Sequence, residues 1–584
     1  MAAHRGVSPV LCNVKSWIPA LDWLPHYSRK NFAGDLPAGL TVGVMLIPQG
    51  MAYAMIAGLP LVYGLYAALI PQVVYAFLGS SRQLAVGPVA MDSLLVASGL
   101  AGLAVAGTDR YIELALLLAL MMGAIQLMLG ILRMGFLAQF LSRPVISGFT
   151  SAAALIIGLN QLPSVLGTPI ERSAQLHVLL ADAAREVGGV HLPTLAMALT
   201  AVGVLFGLRR WAPRIPGSLA VVVLGILAVR LGQLEELGIQ VVGSIPSGLP
   251  GFAVPSLDWA DLQVLLPMAG TLALIAFMEA YSVARAVAQR RGDHEVDADQ
   301  ELRALGAANV LGSMFGAYPT TGGFSRTAVN DRAGANTGMS ALISAAVIAL
   351  TLTFLTPLFQ TLPKAVLGAI IIVAVSGLVD AAYLRSLMRS HREEAALLLI
   401  TFFLTAFGGM VLGIACGVVL SLILTLYRST RPHAAELGSI AGVFRNVERF
   451  PEAQRMPGWI IVRYDGPLHY ASQAHFKDYL GERIGQRRAN GENVKRVLLH
   501  AESIPYVDAT ATAMLADVLS DWEQMGIELH LAGAIGPVRD ALERSGLMDR
   551  MGRAHFHTGI EAALGTAESG QGHVDIATQT DVKR

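Results

Sequence analysis

The sequence predicts a polytopic α-helical membrane protein of about fourteen spanning segments, followed by a small α/β domain. Three observations carry this reading. The 584 residues are 54% hydrophobic and only 14% charged, with a mean hydropathy of +0.55, a composition that water-soluble globular chains do not have. Apolar segments of about 20 residues, the length that crosses a bilayer, recur from about residue 33 to about residue 428. From about residue 438 charges become frequent, and short β-like runs alternate with amphipathic helical ones.

Taken in order, residues 1 to 32 are polar, basic and interrupted by proline. They have no apolar core ahead of a small-residue cleavage site, so the segment is expected to stay in the cytoplasm. The predicted spans are 33–57, 61–79, 88–106, 112–132, 144–160, 192–208, 216–231, 262–288, 300–316, 324–333, 339–356, 364–381, 394–410 and 411–428. Basic residues in short loops remain cytoplasmic. Arg82, Arg133, Arg143, Arg209, Arg210, Arg214, Arg290, Arg291, Arg332, Arg385, Arg389, Arg392, Arg428 and Arg431 all fall on the face shared with the basic N-terminus. The opposite loops hold fewer, among them Arg110, Arg172, Arg185, Arg230 and Lys364, and carry Asp109, Glu171, Asp182, Glu186, Glu235 and Glu236. An even number of crossings with both termini inside fits this asymmetry. The transport-sized membrane region is thus placed at 33–430.

Beyond it, Trp459-Ile460-Ile461-Val462, Val497-Leu498-Leu499 and Ile527-Glu528-Leu529-His530-Leu531 read as strands. Helical stretches are expected near 471–487, 509–523 and 536–545. Residues 438–565 form the predicted cytoplasmic α/β domain, and the Gly-, Ser- and Thr-containing tail 566–584 is expected to be disordered.

Lys plus Arg and Asp plus Glu are 42 each, a zero net charge that gathers neither nucleic acid nor acidic partners. Cys12 and Cys416 are far apart, which suggests neither a disulfide framework nor a metal cluster. No metal-ligand spacing, nucleophile motif or cofactor loop is found, so an enzyme is the poorest of the functional readings and no cofactor is expected.

Two polar breaks are the most informative segments: Leu84-Ala85-Val86-Gly87-Pro88-Val89-Ala90 and Tyr318-Pro319-Thr320-Thr321-Gly322-Gly323-Phe324-Ser325-Arg326. Irregular backbone survives at membrane depth only where protein buries it or it lines a cavity. A helix restarting after such a break aims free N–H groups and its positive dipole end into that cavity. Two facing ends would bind an anion, as in the broken helices of secondary transporters. The alternative for either break alone is an ordinary proline kink.

Arg326 opens the second restarted helix and is the candidate attractor of anions, with a structural ion pair as the alternative. Glu279 lies in the middle of span 262–288, and no other carboxylate is placed so deep. Burial raises and a nearby arginine lowers a carboxyl pKa, so it is the candidate for coupling protons to anion entry; a static pair with Arg326 is the alternative. Gln49 and Tyr53, four residues apart on one helix face, suit an oxyanion as neutral donors, or else pack helices.

The run from Asp35 to Ala90, containing Ile47-Pro48-Gln49-Gly50-Met51-Ala52-Tyr53-Ala54, Gly64-Leu65-Tyr66, Gly79-Ser80-Ser81-Arg82 and Val86-Gly87-Pro88-Val89-Ala90, resembles the sulfate permease (SulP) family of anion transporters. Gly323-Phe324-Ser325-Arg326-Thr327-Ala328-Val329-Asn330 resembles that family's tenth helix, and the segment around Val507-Asp508-Ala509-Thr510 resembles its C-terminal STAS domain. The resemblance implies fourteen helices as a 7+7 inverted repeat with core and gate domains, a homodimer, and elevator-like movement in a bacterial inner membrane. It also implies an anion held by Gln49 and Tyr53 of the first helix, Val89 and Ala90 of the third, and Gly323, Phe324, Ser325 and Arg326 of the tenth, with Glu279 as proton carrier. In STAS domains Thr510 would occupy the phosphorylatable position two residues after Asp508; Ala511, where glycine is usual, leaves a structural role or docking of a cytoplasmic protein partner equally open. The reading is a secondary active importer of a small oxyanion, sulfate with protons. The alternatives are a C4-dicarboxylate or bicarbonate carrier of the same fold, or an uncoupled anion channel or anion sensor.

Overall fold

The computed structural model describes residues 17–569 except 140–141, 171–172, 174, 213–215 and 293–294. Cys12, Glu171, Arg172, Arg214 and the part of the predicted tail from residue 570 onward therefore lie outside the described residues. Residues 566–569, assigned to that tail, instead close a helix. The chain divides into two compact units between Ser421 and Leu422.

The first unit is helical: α1 (Arg29–Ile56), α2 (Leu61–Leu78), α3 (Ala90–Leu100), α4 (Asp109–Ile131), α5 (Arg143–Leu166), α6 (Leu192–Trp211), α7 (Gly217–Gly232), α8 (Trp259–Arg291), α9 (Ala298–Ser313), α10 (Phe324–Arg332), α11 (Met339–Phe359), α12 (Lys364–Ser376), α13 (Arg392–Gly408) and α14 (Met410–Thr430). Every predicted span overlaps one of them. Among the described residues nine are long and apolar enough to cross a membrane. α3, with 11 residues, and α10, with 9, are half-length because each restarts after its break.

The two halves repeat one plan. Each opens with a long helix (α1, α8) and a second (α2, α9), then a two-residue strand and a half-helix. The strands, β1 (Val86–Gly87) and β2 (Thr321–Gly322), pair antiparallel, with Val86 opposite Gly322 and Gly87 opposite Thr321. The pairing satisfies backbone groups that the breaks would otherwise leave bare. Helices α1 to α4 pack with α8 to α11, while α5 packs with α12 and α13, and α6 with α7 and α12. Small residues permit the tightest crossings. A Cβ on Gly64 would stand 2.0 Å from the Gly50 carbonyl oxygen, and one on Gly306 2.5 Å from the Leu127 nitrogen, so α2 rides directly on α1 and α9 on α4.

The second unit holds a six-stranded sheet in the order β4-β3-β5-β6-β7-β8, formed by β3 (His433–Ile440), β4 (Val443–Asn446), β5 (Trp459–Asp465), β6 (Arg496–His500), β7 (Glu528–Ala532) and β8 (Phe556–His557). The last four run parallel, and β3 lies antiparallel to both neighbours. Side chains alternate between two covered faces. Ile460, Val462, Val497 and Leu499 pack with Phe476 of α15 (Gln473–Ala489), Leu515 of α16 (Ala509–Gln524) and Leu542 of α17 (Gly536–Arg544). Trp459, Ile461 and Leu498 pack with Ala563 of α18 (Ile560–Ser569).

Candidate anion site between two half-helices

The N-termini of α3 and α10 are uncapped. Their N-cap residues, Val89 and Gly323, are extended and provide no side-chain hydrogen bond. The first backbone N–H in each that closes onto the cap belongs to Ser93 and Thr327 respectively, leaving the N–H groups of the preceding turn aimed out of the helix. Each end carries the equivalent of about half a positive charge.

Neutral groups hold this crossing in place. The Asn309 amide donates to the Thr320 carbonyl at 3.0 Å and its oxygen accepts from the Thr320 N–H at 2.9 Å. The Ala85 N–H donates to the Thr327 hydroxyl at 3.0 Å, and the Gly323 N–H to the Ala85 carbonyl at 3.1 Å. Ser93 Oγ lies 3.1 Å from the Tyr318 hydroxyl.

Arg326 is buried, 2% exposed. Its Nη1 donates to the Pro88 carbonyl at 2.7 Å, so the guanidinium of one half-helix grips the break before the other. Its Nε and Nη2 are buried without a hydrogen-bond partner among the described residues. Buried donors are nearly always satisfied, and donors left over beside two positive helix ends are what an oxyanion would take up. Gly323 makes room for them, since a Cβ there would stand 2.9 Å from Arg326 Cζ and Nη2.

Tyr53, Glu279 and Tyr318 are within electrostatic reach of Arg326. Gln49 and Tyr53 are both buried on α1, and the Gln49 Oε1 has no partner among the described residues. Val89 is half-buried and Ala90 buried, whereas Phe324 and Ser325 are exposed. The structure thus brings Tyr53, Glu279 and Arg326 together with the two helix ends, while Phe324 and Ser325 in the first turn of α10 are accessible to solvent. Oε2 of Glu279 has no hydrogen-bond partner among the described residues; the static pair with Arg326 is not what the geometry presents.

Glu279 is half-buried on α8, whereas Asp35, Asp92 and Glu301 are fully buried. Asp35 accepts from the Asn336 and Thr337 N–H groups and the Thr337 hydroxyl. Glu301 accepts from Tyr75, from the Ser80 N–H and hydroxyl, and from the Ser81 N–H. Tertiary donors make burial of these two tolerable. Asp92 differs. It sits in the first turn of α3, both of its oxygens lack partners among the described residues, and it lies within electrostatic reach of Glu279. An acid just after Pro88 in an apolar run is itself a signal of function, and it was readable in the sequence.

In the second unit, Asp508 caps α16, accepting from the Ala511 N–H at 2.7 Å, and also accepts from the Tyr470 N–H at 2.9 Å. Thr510 is exposed one residue into the helix.

A polytopic helical bundle in which two broken helices present their positive ends beside a buried arginine defines a membrane transporter for anions. The Sulfate permease family profile matches residues 32–401 and the STAS domain profile residues 450–563. The chain belongs to the sulfate permease family, with a C-terminal STAS domain. It is 38% identical to "Probable sulfate transporter 4.2" of Arabidopsis thaliana, over 94% of this chain and 83% of that one. It is 36% identical to "Probable sulfate transporter MT1781" of Mycobacterium tuberculosis, over 94% and 97%. Among solved structures, the murine Slc26a9 anion transporter in the inward-facing state superposes with a TM-score of 0.87 at 25% identity, covering 97% of this chain and 96% of that chain. The protein is a multi-pass anion transporter, not an enzyme.

Proposed function

We propose that the protein imports sulfate together with protons across a bacterial inner membrane. The observation that carries this is Arg326, with two unpartnered buried donor nitrogens between two uncapped helix ends, and Glu279 beside it. The names of the relatives favour sulfate over a C4-dicarboxylate or bicarbonate. Gln49, Tyr53, Val89, Ala90, Gly323, Phe324, Ser325 and Arg326 are proposed to form the anion site, and Glu279 to carry the proton. The unit of transport is proposed to be a homodimer working by elevator movement of α1–α4 and α8–α11 against the remaining helices. Both termini are proposed to be cytoplasmic, with Asp508 and Thr510 marking where a cytoplasmic partner docks on the STAS domain.

Proteoliposomes holding the purified protein test this. An inward proton gradient should concentrate labelled sulfate, with neither fumarate nor bicarbonate competing well. Glu279→Gln should abolish accumulation yet preserve sulfate–sulfate exchange, which needs no net proton movement. Absence of sulfate uptake would refute the substrate, and unchanged gradient-driven accumulation by Glu279→Gln would refute the coupling.

A further inference from the structure

The STAS domain carries a group of metal-ligating side chains that anion transport leaves unused. Glu528 and His530 are two residues apart on β7 and so share one face of the strand. The turn Arg553–His555 and β8 bring His555 and His557 alongside. The His530 ring centroid lies 4.5 Å from that of His555 and 5.3 Å from that of His557. Glu528 Oε2 is 3.5 Å from His530 Nε2. One ligand atom from each of Glu528, His530 and His555 falls within 4.8 Å of the other two.

His530 is 9% exposed, yet its Nε2 makes no hydrogen bond among the described residues, and neither does the buried Nδ1 of His555. Two buried imidazole nitrogens without a hydrogen-bond partner among the described residues thus lie in one cluster with the Glu528 carboxylate, whereas buried polar atoms are nearly always satisfied. The other nitrogen of His530, Nδ1, is engaged, 3.1 Å from Nε2 of His557. Ligating histidines commonly have their second nitrogen oriented in this way. The competing cation is Arg496, whose Nε lies 3.0 Å from Glu528 Oε2 and whose guanidinium also covers the Trp459 ring. It can stay on that ring when Glu528 turns away.

We propose that Glu528, His530 and His555 bind a divalent transition metal of the zinc type, with His557 as the positioning residue. Two imidazoles and a carboxylate suit zinc, and leave a fourth position open to solvent or a further ligand. The ion would tie β7 to the turn that delivers β8, at the edge of the sheet. Linear spacing does not reveal this site, because His555 reaches β7 only through the parallel β7–β8 pairing.

Tag-free full-length protein in detergent, loaded with Zn2+ and desalted, should retain about one zinc per chain by mass spectrometry. Co2+ in its place should give the visible absorption of a tetrahedral centre. His530→Ala and Glu528→Gln should abolish both signals, and His557→Ala should weaken affinity by about 10- to 100-fold. Glu528 is at the exposed rim, so its variant separates loss of metal from loss of fold. Absence of stoichiometric zinc in the wild type, or retention of it by Glu528→Gln and His530→Ala, would overturn the proposal.

Discussion

Replacing Gly323 by alanine asks whether Arg326 is held where the anion needs it. The backbone at Gly323 has φ −88° and ψ 131°, which any residue adopts, so the added methyl costs nothing in conformation. Its Cβ would lie 2.9 Å from Cζ and Nη2 and 3.3 Å from Nε of Arg326, closer than packed atoms tolerate, and the guanidinium must move. A hydrogen bond from a charged donor contributes about 1.5–3 kcal/mol. Gly323→Ala and Arg326→Ala should therefore each weaken sulfate binding by about 10- to 150-fold. The double variant should bind no worse than Arg326→Ala alone, because the methyl then meets no guanidinium, and the cycle should show coupling of about 1.5–3 kcal/mol. Titration calorimetry of the detergent-solubilised protein measures this, with the unfolding temperature as control for fold. Additive losses in the double variant would refute the reasoning.

Gly64→Ala should destabilise the membrane unit by about 1–3 kcal/mol or more, because its Cβ would meet the backbone carbonyl of Gly50 at 2.0 Å; thermal unfolding in detergent checks it. Glu301→Gln should cost about 1.5–3 kcal/mol by turning a carboxylate that accepts from Tyr75, Ser80 and Ser81 into a group that also donates. Transport per folded molecule should be unchanged, since Glu301 is apart from the anion site. Asp508→Ala should lower stability by about 0.5–2 kcal/mol through loss of the α16 cap, while Thr510→Ala, at an exposed hydroxyl, should leave the unfolding temperature where it was.

Hydropathy located the nine helices that, among the described residues, are long and apolar enough to cross a membrane, because burial in lipid demands continuous apolar runs, and that demand is local. The half-helices were legible too, through Pro88 and through Gly322 and Gly323. Their joining as β1 and β2 was not legible, since the partners are more than two hundred residues apart and two-residue strands leave no pattern. Asp35 and Glu301 read as ordinary polar residues near helix ends; only tertiary donors reveal them as fully buried. In the STAS domain, the helices over 473–489 and 509–524 followed from their apolar period. β3 leaves no strand signal in the sequence because Ala434, Ala435, Gly438 and Ser439 have none of the β-branched bulk that marks a strand. At the candidate site, Tyr53, Glu279 and Arg326 stood out as polar groups in apolar helices. Asp92 meets the same criterion in the first turn after the break at Pro88.

Asp92 changes the electrostatics of the proposed symport. Each half-helix end contributes about half a positive charge, and Arg326 contributes one. Asp92 and Glu279 lie in reach of one another, and Glu279 in reach of Arg326. With both carboxyls ionised, the positive charge of the site is cancelled and a dianion gains little by entering. With both protonated, the anion faces the two helix ends and the guanidinium uncompensated. At a separation of about 4 Å and an effective dielectric of about 20, one unit of charge is worth about 4 kcal/mol to a monovalent partner. By linkage, an anion that favours the protonated site must raise the site's affinity for protons equally. Helix ends and Arg326 alone would hold sulfate equally well on both sides of the membrane; the carboxyls supply a reason for it to leave where protons are scarce.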